Sequence, residues 1–253
     1  MQVMMNNLPK TLCKGLAAVA LMGVASSAFA TDSVTLNVGP YGDLGGYGGG
    51  EFTAVGSGLS TSSYAATTSS GGSFGSFETF CMAYTEEFVP GNWGGPPYTY
   101  FLSNNTFSNT PPYPASDTLT QGTAWLYSQF AAGKLSGYDY TSANRAASAR
   151  DLQEAIWSLQ GTYGVPSYLF PSSTNPFMAD VIGAFGSLDP KTPASLGYDG
   201  VYIMVLNGWS GYGTTPFAQP QLYYNVPDNG TTGLLVAGAL VALLGFRRRF
   251  KNV

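Results

Sequence analysis

The order of secondary-structure signals along the chain predicts an α+β fold, in which an antiparallel sandwich-like or barrel-like β-sheet carries a helical insertion. Strand signals come first, within residues 31–88, helical signals follow between residues 117 and 185, and strand signals return from residue 201. No internal repeat indicates a solenoid or an array. Residues 31–225, about 195 residues, remain once the two terminal signals are set aside, which is enough for one domain with a substantial core.

The first strands are predicted in a part of the chain that is rich in small residues. Apolar residues alternate over residues 31–38, which predicts a strand. Residues 39–76 are rich in Gly, Ser and Thr, and residues 51–55 form the best strand candidate among them. Residues 90–97 and 110–114 are predicted loops because of their Gly and Pro content.

Two helices are predicted in the middle of the chain. The first covers residues 117–131, and Gly133 closes it. No Gly or Pro interrupts residues 142–160, where alanine is frequent; Ser142 is a suitable N-cap, and Gly161 stands where a helix commonly ends.

A third helix and the last strands follow. Asn175 and Pro176 form an N-cap and first helical residue, and the apolar spacing predicts a helix as far as Phe185. Residues 201–206 give the clearest strand signal of the chain, and residues 221–224 are a candidate last strand.

The two ends of the chain carry export signals. Residues 1–30 have a basic start, an apolar run and a small-residue cleavage pattern ending at Ala30, as in a secretory signal peptide. In the C-terminal segment, residues 226–253, a motif of Val226, Pro227, Asp228 and Gly230 precedes a mostly apolar run and a basic cluster.

The apolar run at residues 231–246 predicts a short transmembrane segment. As a helix it would span ~24 Å at 1.5 Å per residue, against a hydrocarbon core of ~30 Å, and the basic cluster would keep its end cytoplasmic. The whole tail resembles the sorting signals of exosortase substrates in Gram-negative bacteria, the PEP-CTERM class and its VPD-type variant. That resemblance implies processing near residues 226–230 by an exosortase-like enzyme, transient association with the inner membrane, and delivery to the cell surface or extracellular matrix. A permanent single-span membrane protein is the alternative.

Composition excludes several classes of function. Residues 31–228 contain all 14 acidic residues and only four of the ten basic ones, a net charge of −10, so nucleic acid is not an expected partner. The chain has no histidine, which removes Ser-His and Cys-His catalytic pairs and imidazole metal ligands. No metal or other cofactor is expected.

Cys81 is the only cysteine beyond the signal peptide. Residues 74–88 are rich in aromatic side chains and predict an apolar strand with Cys81 at its middle. A lone cysteine in an exported chain is either a buried inert thiol or a group that pairs with another molecule, oxidises or is held in some other bond.

The helix predicted over residues 142–160 carries a glutamine on its apolar side. At 100° per residue, Gln153 lies within about 60° of Ala149, Ile156 and Trp157, whereas Asp151 lies on nearly the opposite side. An amide that only satisfies backbone groups is the plain interpretation of such a residue.

The sequence around this glutamine carries a family resemblance. Its motif reads Leu152-Gln153-Glu154-Ala155-Ile156-Trp157. Residues 77–224 resemble the thioester domains of bacterial surface adhesins, in which an upstream cysteine bonds to the glutamine of a Thr-Gln-x-Ala-Ile-Trp motif on a helix. Here Leu152 replaces the threonine, and Cys81 is the matching cysteine.

The resemblance implies a Cys81–Gln153 thioester that captures amines, typically protein lysines, for adhesion or matrix cross-linking. Capture would form an amide at Gln153 and release Cys81, so the protein would be a single-use covalent binder and not a turnover enzyme. Two alternatives stay open: a noncovalent biofilm-matrix or polysaccharide-binding surface protein, and a hydrolase or acyltransferase that uses Cys81 as its nucleophile.

Overall fold

The structure is a computed structural model, and it describes residues 32–42, 49–57, 59, 76–84, 86–106, 117–141, 143–161, 175–208 and 217–225. Chain contacts divide the protein into residues 1–31 and residues 32–253, and every described residue belongs to the second unit. The predictions for Ala30, Ser142, the loop 110–114, the sorting residues and the transmembrane segment 231–246 lie outside the described residues.

Within the described ranges, six antiparallel strands form one sheet, which confirms the α+β class. The strands are β1 Ser33–Val38, β2 Phe52–Gly56, β3 Ser76–Thr79, β4 Tyr98–Ser103, β5 Val201–Asn207 and β6 Phe217–Tyr224. Their order in the sheet is β3-β2-β1-β4-β5-β6. Apolar and aromatic residues dominate these strands, as expected for a sheet that is covered on both faces.

The two edge strands of this sheet meet, so the sheet curls toward a barrel. Just after β3, the backbone N–H of Met82 donates to the carbonyl oxygen of Pro220, and the backbone N–H of Leu222 donates to the carbonyl oxygen of Phe80. Cys81 and Gln221 form the bridge between these two bonds. Cys81 therefore lies at the seam where β6 meets the chain that leaves β3.

Among the residues that the structure describes between β4 and β5, three form α-helices: α1 Gln121–Ala131, α2 Arg145–Gln160 and α3 Pro176–Phe185. The Thr120 side chain caps α1, and the Asn175 side chain caps α3 by accepting from two backbone N–H groups. Gly161 ends α2 in the left-handed conformation.

The core lies on both faces of the sheet. On one face the helices pack against Val201, Ile203, Val205 and Leu222. On the other face Val34, Leu36, Ala54, Met204 and Leu206 pack together. Among the described residues, no helix is both long and apolar enough to cross a membrane.

The structure differs from the sequence predictions at several elements. Strand β3 ends at Thr79, so Cys81 lies beyond it and not in the middle of a long strand; the chain leaves β2 there to meet β6. Strand β4 was not predicted. Helix α1 begins at Gln121, because Thr118 and Thr120 form β-bridges to Asn105 and Pro193, and Thr120 supplies the N-cap.

Candidate functional site

The structure places Gln153 against Cys81, although 72 residues separate them in the chain. Both side chains are buried. Helix α2 is fixed in this position because Leu152, Ala155 and Ile156 lie in the helix-sheet core with no exposed surface. Of the motif residues predicted around the glutamine, those three anchor the helix, and Trp157 packs beside Cys81.

Two backbone donors hold the carboxamide oxygen of Gln153. Its Oε1 accepts from the backbone N–H of Gly50 at 3.2 Å and from that of Cys81 at 3.1 Å. Its Nε2 donates to the carbonyl oxygen of Cys81 at 2.8 Å. A carbonyl oxygen between two fixed N–H groups is the arrangement that stabilises negative charge on that oxygen during acyl transfer.

Two further glutamines flank the Cys81 sulfur. The thiol donates to Oε1 of Gln219 at 2.9 Å, and Nε2 of Gln221 donates to the sulfur at 3.5 Å. Gln219 is itself anchored, because its Nε2 donates to the carbonyl oxygen of Ala83 at 2.7 Å. The two glutamines lie two residues apart on β6, so both side chains project from the same face of the strand.

Burial keeps the Cys81 thiol neutral. Desolvation raises its pKa to about 12 from its ordinary value of 9.0, and the hydrogen bond from Gln221 offsets only part of that rise. The chemistry implied by the family resemblance needs a thiolate and a group that favours it. The structure provides the opposite environment, so any attack by this sulfur must pass its proton directly to another atom.

We expect the form with a free thiol to lose stability in alkali. Between pH 9 and about 12 the unfolded chain releases the thiol proton while the folded chain keeps it, so folding becomes less favourable by up to ~1.4 kcal/mol per pH unit. Below pH 9 the effect is absent. Urea unfolding at pH 7, 9 and 10.5 measures this loss of stability. It compares Cys81→Ala with wild-type protein that has been treated with a small amine such as methylamine, so that any bond to the sulfur is opened and the thiol is free. The other titrating groups are common to both proteins. Parallel stability curves would contradict the assignment.

Aromatic side chains cover the site. Phe52, Cys81 and Trp157 form a small buried cluster. The ring of Trp157 meets that of Tyr84 edge to face, with centroids 5.1 Å apart. Gly49 also lies against Trp157, and the space beside its Cα is filled by the Trp157 ring and the Gln153 stem. Water therefore has little access to the sulfur and the carboxamide.

Two buried polar atoms at this site have no hydrogen-bond partner in the described part of the chain. They are Nε1 of Trp157 and Oε1 of Gln221. Trp157 is 2% exposed and Gln221 is fully buried. An unpaired buried donor or acceptor costs about 1–3 kcal/mol, so such atoms in a native fold need an explanation.

A buried ion pair holds the segment that carries Gly50. The guanidinium of Arg145, the first residue of α2, binds the carboxylate of Glu51, with Nε 2.9 Å from Oε2. The hydroxyl of Tyr138 donates to the same carboxylate oxygen at 2.6 Å, and Nη1 of Arg145 donates to the carbonyl oxygen of Tyr140 at 2.9 Å. The residue after Gly50 is thus fixed to the helix that carries Gln153.

Sequence reasoning identified Cys81, Gln153 and Trp157 but missed Gly50, Gln219 and Gln221. A backbone donor leaves no mark in a sequence. The spacing of Gln219 and Gln221 indicates only that their side chains share a face, since polar residues at i and i+2 of a strand do so. That pattern ordinarily indicates the solvent face, and here the face is buried because β6 closes the seam.

Comparison with known proteins identifies the end of the chain. Residues 225–250 match the VPDSG-CTERM motif. This match confirms the predicted C-terminal sorting tail and indicates an exported protein that is targeted to the cell surface. No curated protein and no solved structure matches the chain.

Proposed function

We propose that this protein forms an internal thioester between Cys81 and Gln153 and uses it once, to capture a primary amine covalently at the cell surface or in the extracellular matrix. The observation that carries the proposal is the pair of N–H groups of Gly50 and Cys81 on the Gln153 oxygen. Both donors converge on the oxygen that would gain negative charge, and one of them belongs to the cysteine that would attack.

In the forming step, Sγ of Cys81 bonds to Cδ of Gln153 and the bond from Cδ to Nε2 breaks. The thiol proton passes to the departing nitrogen, which leaves as ammonia. The oxygen gains negative charge in the tetrahedral intermediate, and the hydrogen bonds to it strengthen because they become charge-assisted. One donor of this kind contributes about 10²–10³-fold to the rate of acyl transfer.

In the capture step, an amine nitrogen bonds to Cδ and the bond from Cδ to Sγ breaks. One amine proton passes to the sulfur, which leaves as the neutral thiol, and a substituted amide remains at Gln153. The buried surroundings slow the competing attack by water. Because Gln153 ends as a stable amide and Cys81 as a free thiol, each molecule reacts once.

The negative charge of the exported domain favours encounter with cationic surfaces of other molecules. Residues 31–228 carry a net charge of −10, which attracts lysine-bearing surfaces. We propose protein lysines as the principal partners. An exosortase-like enzyme would process the tail during a transient stay in the inner membrane of a Gram-negative cell, before release to the surface.

The decisive measurement is the intact mass of the exported protein, purified from the producing cells. Wild type should lack the mass of one ammonia, and digestion should yield a peptide that links Cys81 to Gln153. Treatment with methylamine should replace the link by N-methylglutamine at position 153 and expose one thiol.

Matched variants separate this result from side reactions. Cys81→Ala and Gln153→Ala should both keep the full mass and should not take up methylamine. Fresh wild type with the full mass and one titratable thiol would overturn the proposal and favour a noncovalent matrix protein. Repeated turnover of an ester substrate that depends on Cys81 would instead favour a hydrolase or acyltransferase.

A further inference from the structure

We propose that Gln221 is the residue that receives the attacking amine: its Oε1 accepts an N–H of the nucleophile while its Nε2 contacts the departing sulfur of Cys81. This inference rests on the proposed function and names the contact by which the site recognises its substrate. The substrate class that follows is an uncharged primary amine, whose nitrogen carries one N–H for Gln221 and a second proton for the sulfur.

The starting observation is the unmet acceptor. Gln221 has no exposed surface, and its Oε1 has no hydrogen-bond partner among the residues that the structure describes. The other end of the same amide is 3.5 Å from Sγ of Cys81. An unpaired acceptor is therefore built beside the sulfur, in a fold that otherwise pairs the Gln153 and Gln219 amides with their surroundings.

The orientation of this amide follows from its neighbours. Nε2 of Gln221 also lies 3.3 Å from the carbonyl oxygen of Gln219, to which it donates. Rotating the amide by 180° would place two oxygens against each other. The nitrogen thus faces the Gln219 carbonyl and the sulfur, and the oxygen is left available for a donor.

The attacking amine is such a donor. When an amine adds to Cδ of Gln153, its nitrogen becomes positively charged and its N–H groups become stronger donors. Oε1 of Gln221 then accepts one of these hydrogens, and a second proton passes to the sulfur as the C–S bond breaks. The neutral thiol that results donates to Oε1 of Gln219, the bond present in the structure.

The same contact operates in the forming step. Loss of ammonia from Gln153 is the reverse of ammonia capture, so the departing nitrogen passes the same acceptor. Gln221 should therefore accelerate both thioester formation and capture.

The test compares Gln221→Met and Gln221→Glu in the full exported chain, with methylamine as the probe. Methionine removes the acceptor. A buried glutamic acid, held neutral by desolvation, keeps a carbonyl acceptor and an O–H that can donate to Gln219. We expect capture to slow by about 10- to 100-fold in Gln221→Met, because a hydrogen bond to a charged group is lost. Gln221→Glu should stay within about threefold of wild type.

Gln160 provides a matched control. Its side chain is partly buried and about two helical turns from Gln153. Its Oε1 accepts from the backbone N–H of Thr120 at 2.8 Å, and its Nε2 donates to the carbonyl oxygen of Thr118 at 3.2 Å. Gln160→Met should not change the capture rate. Gln221→Leu replaces the methionine variant if the latter does not fold.

The outcomes separate the inference from the function it rests on. Wild type that keeps its ammonia overturns the proposed function itself. Wild type that captures methylamine while Gln221→Met captures it equally fast, or while Gln221→Glu is as slow as Gln221→Met, overturns the role of Gln221. A Gln221→Met protein that melts like wild type but retains its ammonia supports the role, because the departing nitrogen has lost the acceptor.

Discussion

Replacing Arg145 by methionine should lower the free energy of unfolding by about 3–5 kcal/mol, the usual cost of breaking a buried ion pair from one side. The side chain of Arg145 is 1% exposed and that of Glu51 is fully buried. Without the guanidinium, the Glu51 carboxylate loses its counter-ion in the core and keeps only the Tyr138 hydroxyl among its described side-chain partners. Urea unfolding at pH 7 measures the loss.

A second arginine on the same helix is the matched control. Arg150 lies 3.6 Å from Asp151, but its side chain is 57% exposed, so Arg150→Met should cost less than about 1 kcal/mol. The double variant Arg145→Met, Glu51→Gln should recover part of the loss because no charge is left unpaired. Equal effects of Arg145→Met and Arg150→Met would show that the ion pair contributes nothing beyond an exposed one.

This ion pair also serves the chemistry of the proposed thioester. Glu51 follows Gly50, whose N–H is one of the two donors on the Gln153 oxygen. Gly50 has a φ of 122°, a conformation that glycine adopts readily and other residues avoid. Arg145 and Gln153 both lie on α2, so the ion pair sets the distance between the donor and the oxygen that it must reach.

Local signals explain the parts of the fold that could be predicted. The Asn175-Pro176 start of α3 is visible because the cap, the proline and the helix all depend on adjacent residues. The α2 C-terminus at Gly161 and strand β5 are predictable for the same reason. The burial of Gln153 also followed from helical periodicity alone.

Contacts between distant parts of the chain explain which features of the fold and the site could not be predicted. Glu51 and Arg145 are 94 residues apart, and in the sequence each is one charged residue of a strongly acidic chain. The seam between Cys81 and Gln221 joins residues 140 apart, so neither the end of β3 nor the buried face of Gln219 and Gln221 has a local signal.

The Gly49→Ala substitution should slow thioester formation by about 10²-fold while leaving the fold intact. A Cβ at this position would lie 2.5 Å from Cη2 of Trp157 and 2.9 Å from Cγ of Gln153, so both side chains must move. A displacement of about 1 Å at a reacting group can cost 10²-fold in rate. In the proposed reaction, the displaced group is the carboxamide that Cys81 attacks. The time course of ammonia loss after refolding, followed by intact mass, measures the effect.

The control for this variant is Gly183→Ala, at a helical position in α3 where an added Cβ meets no atom within 4 Å. It should form the thioester at the wild-type rate and gain about 0.5–1 kcal/mol of stability, because alanine is the better helix former. If both variants lost ammonia equally fast, the close approach of Gly49 to Trp157 and Gln153 would have no part in aligning the carboxamide. If Gly49→Ala alone is slow and melts like wild type, the defect lies in the position of Gln153 and not in the stability of the fold.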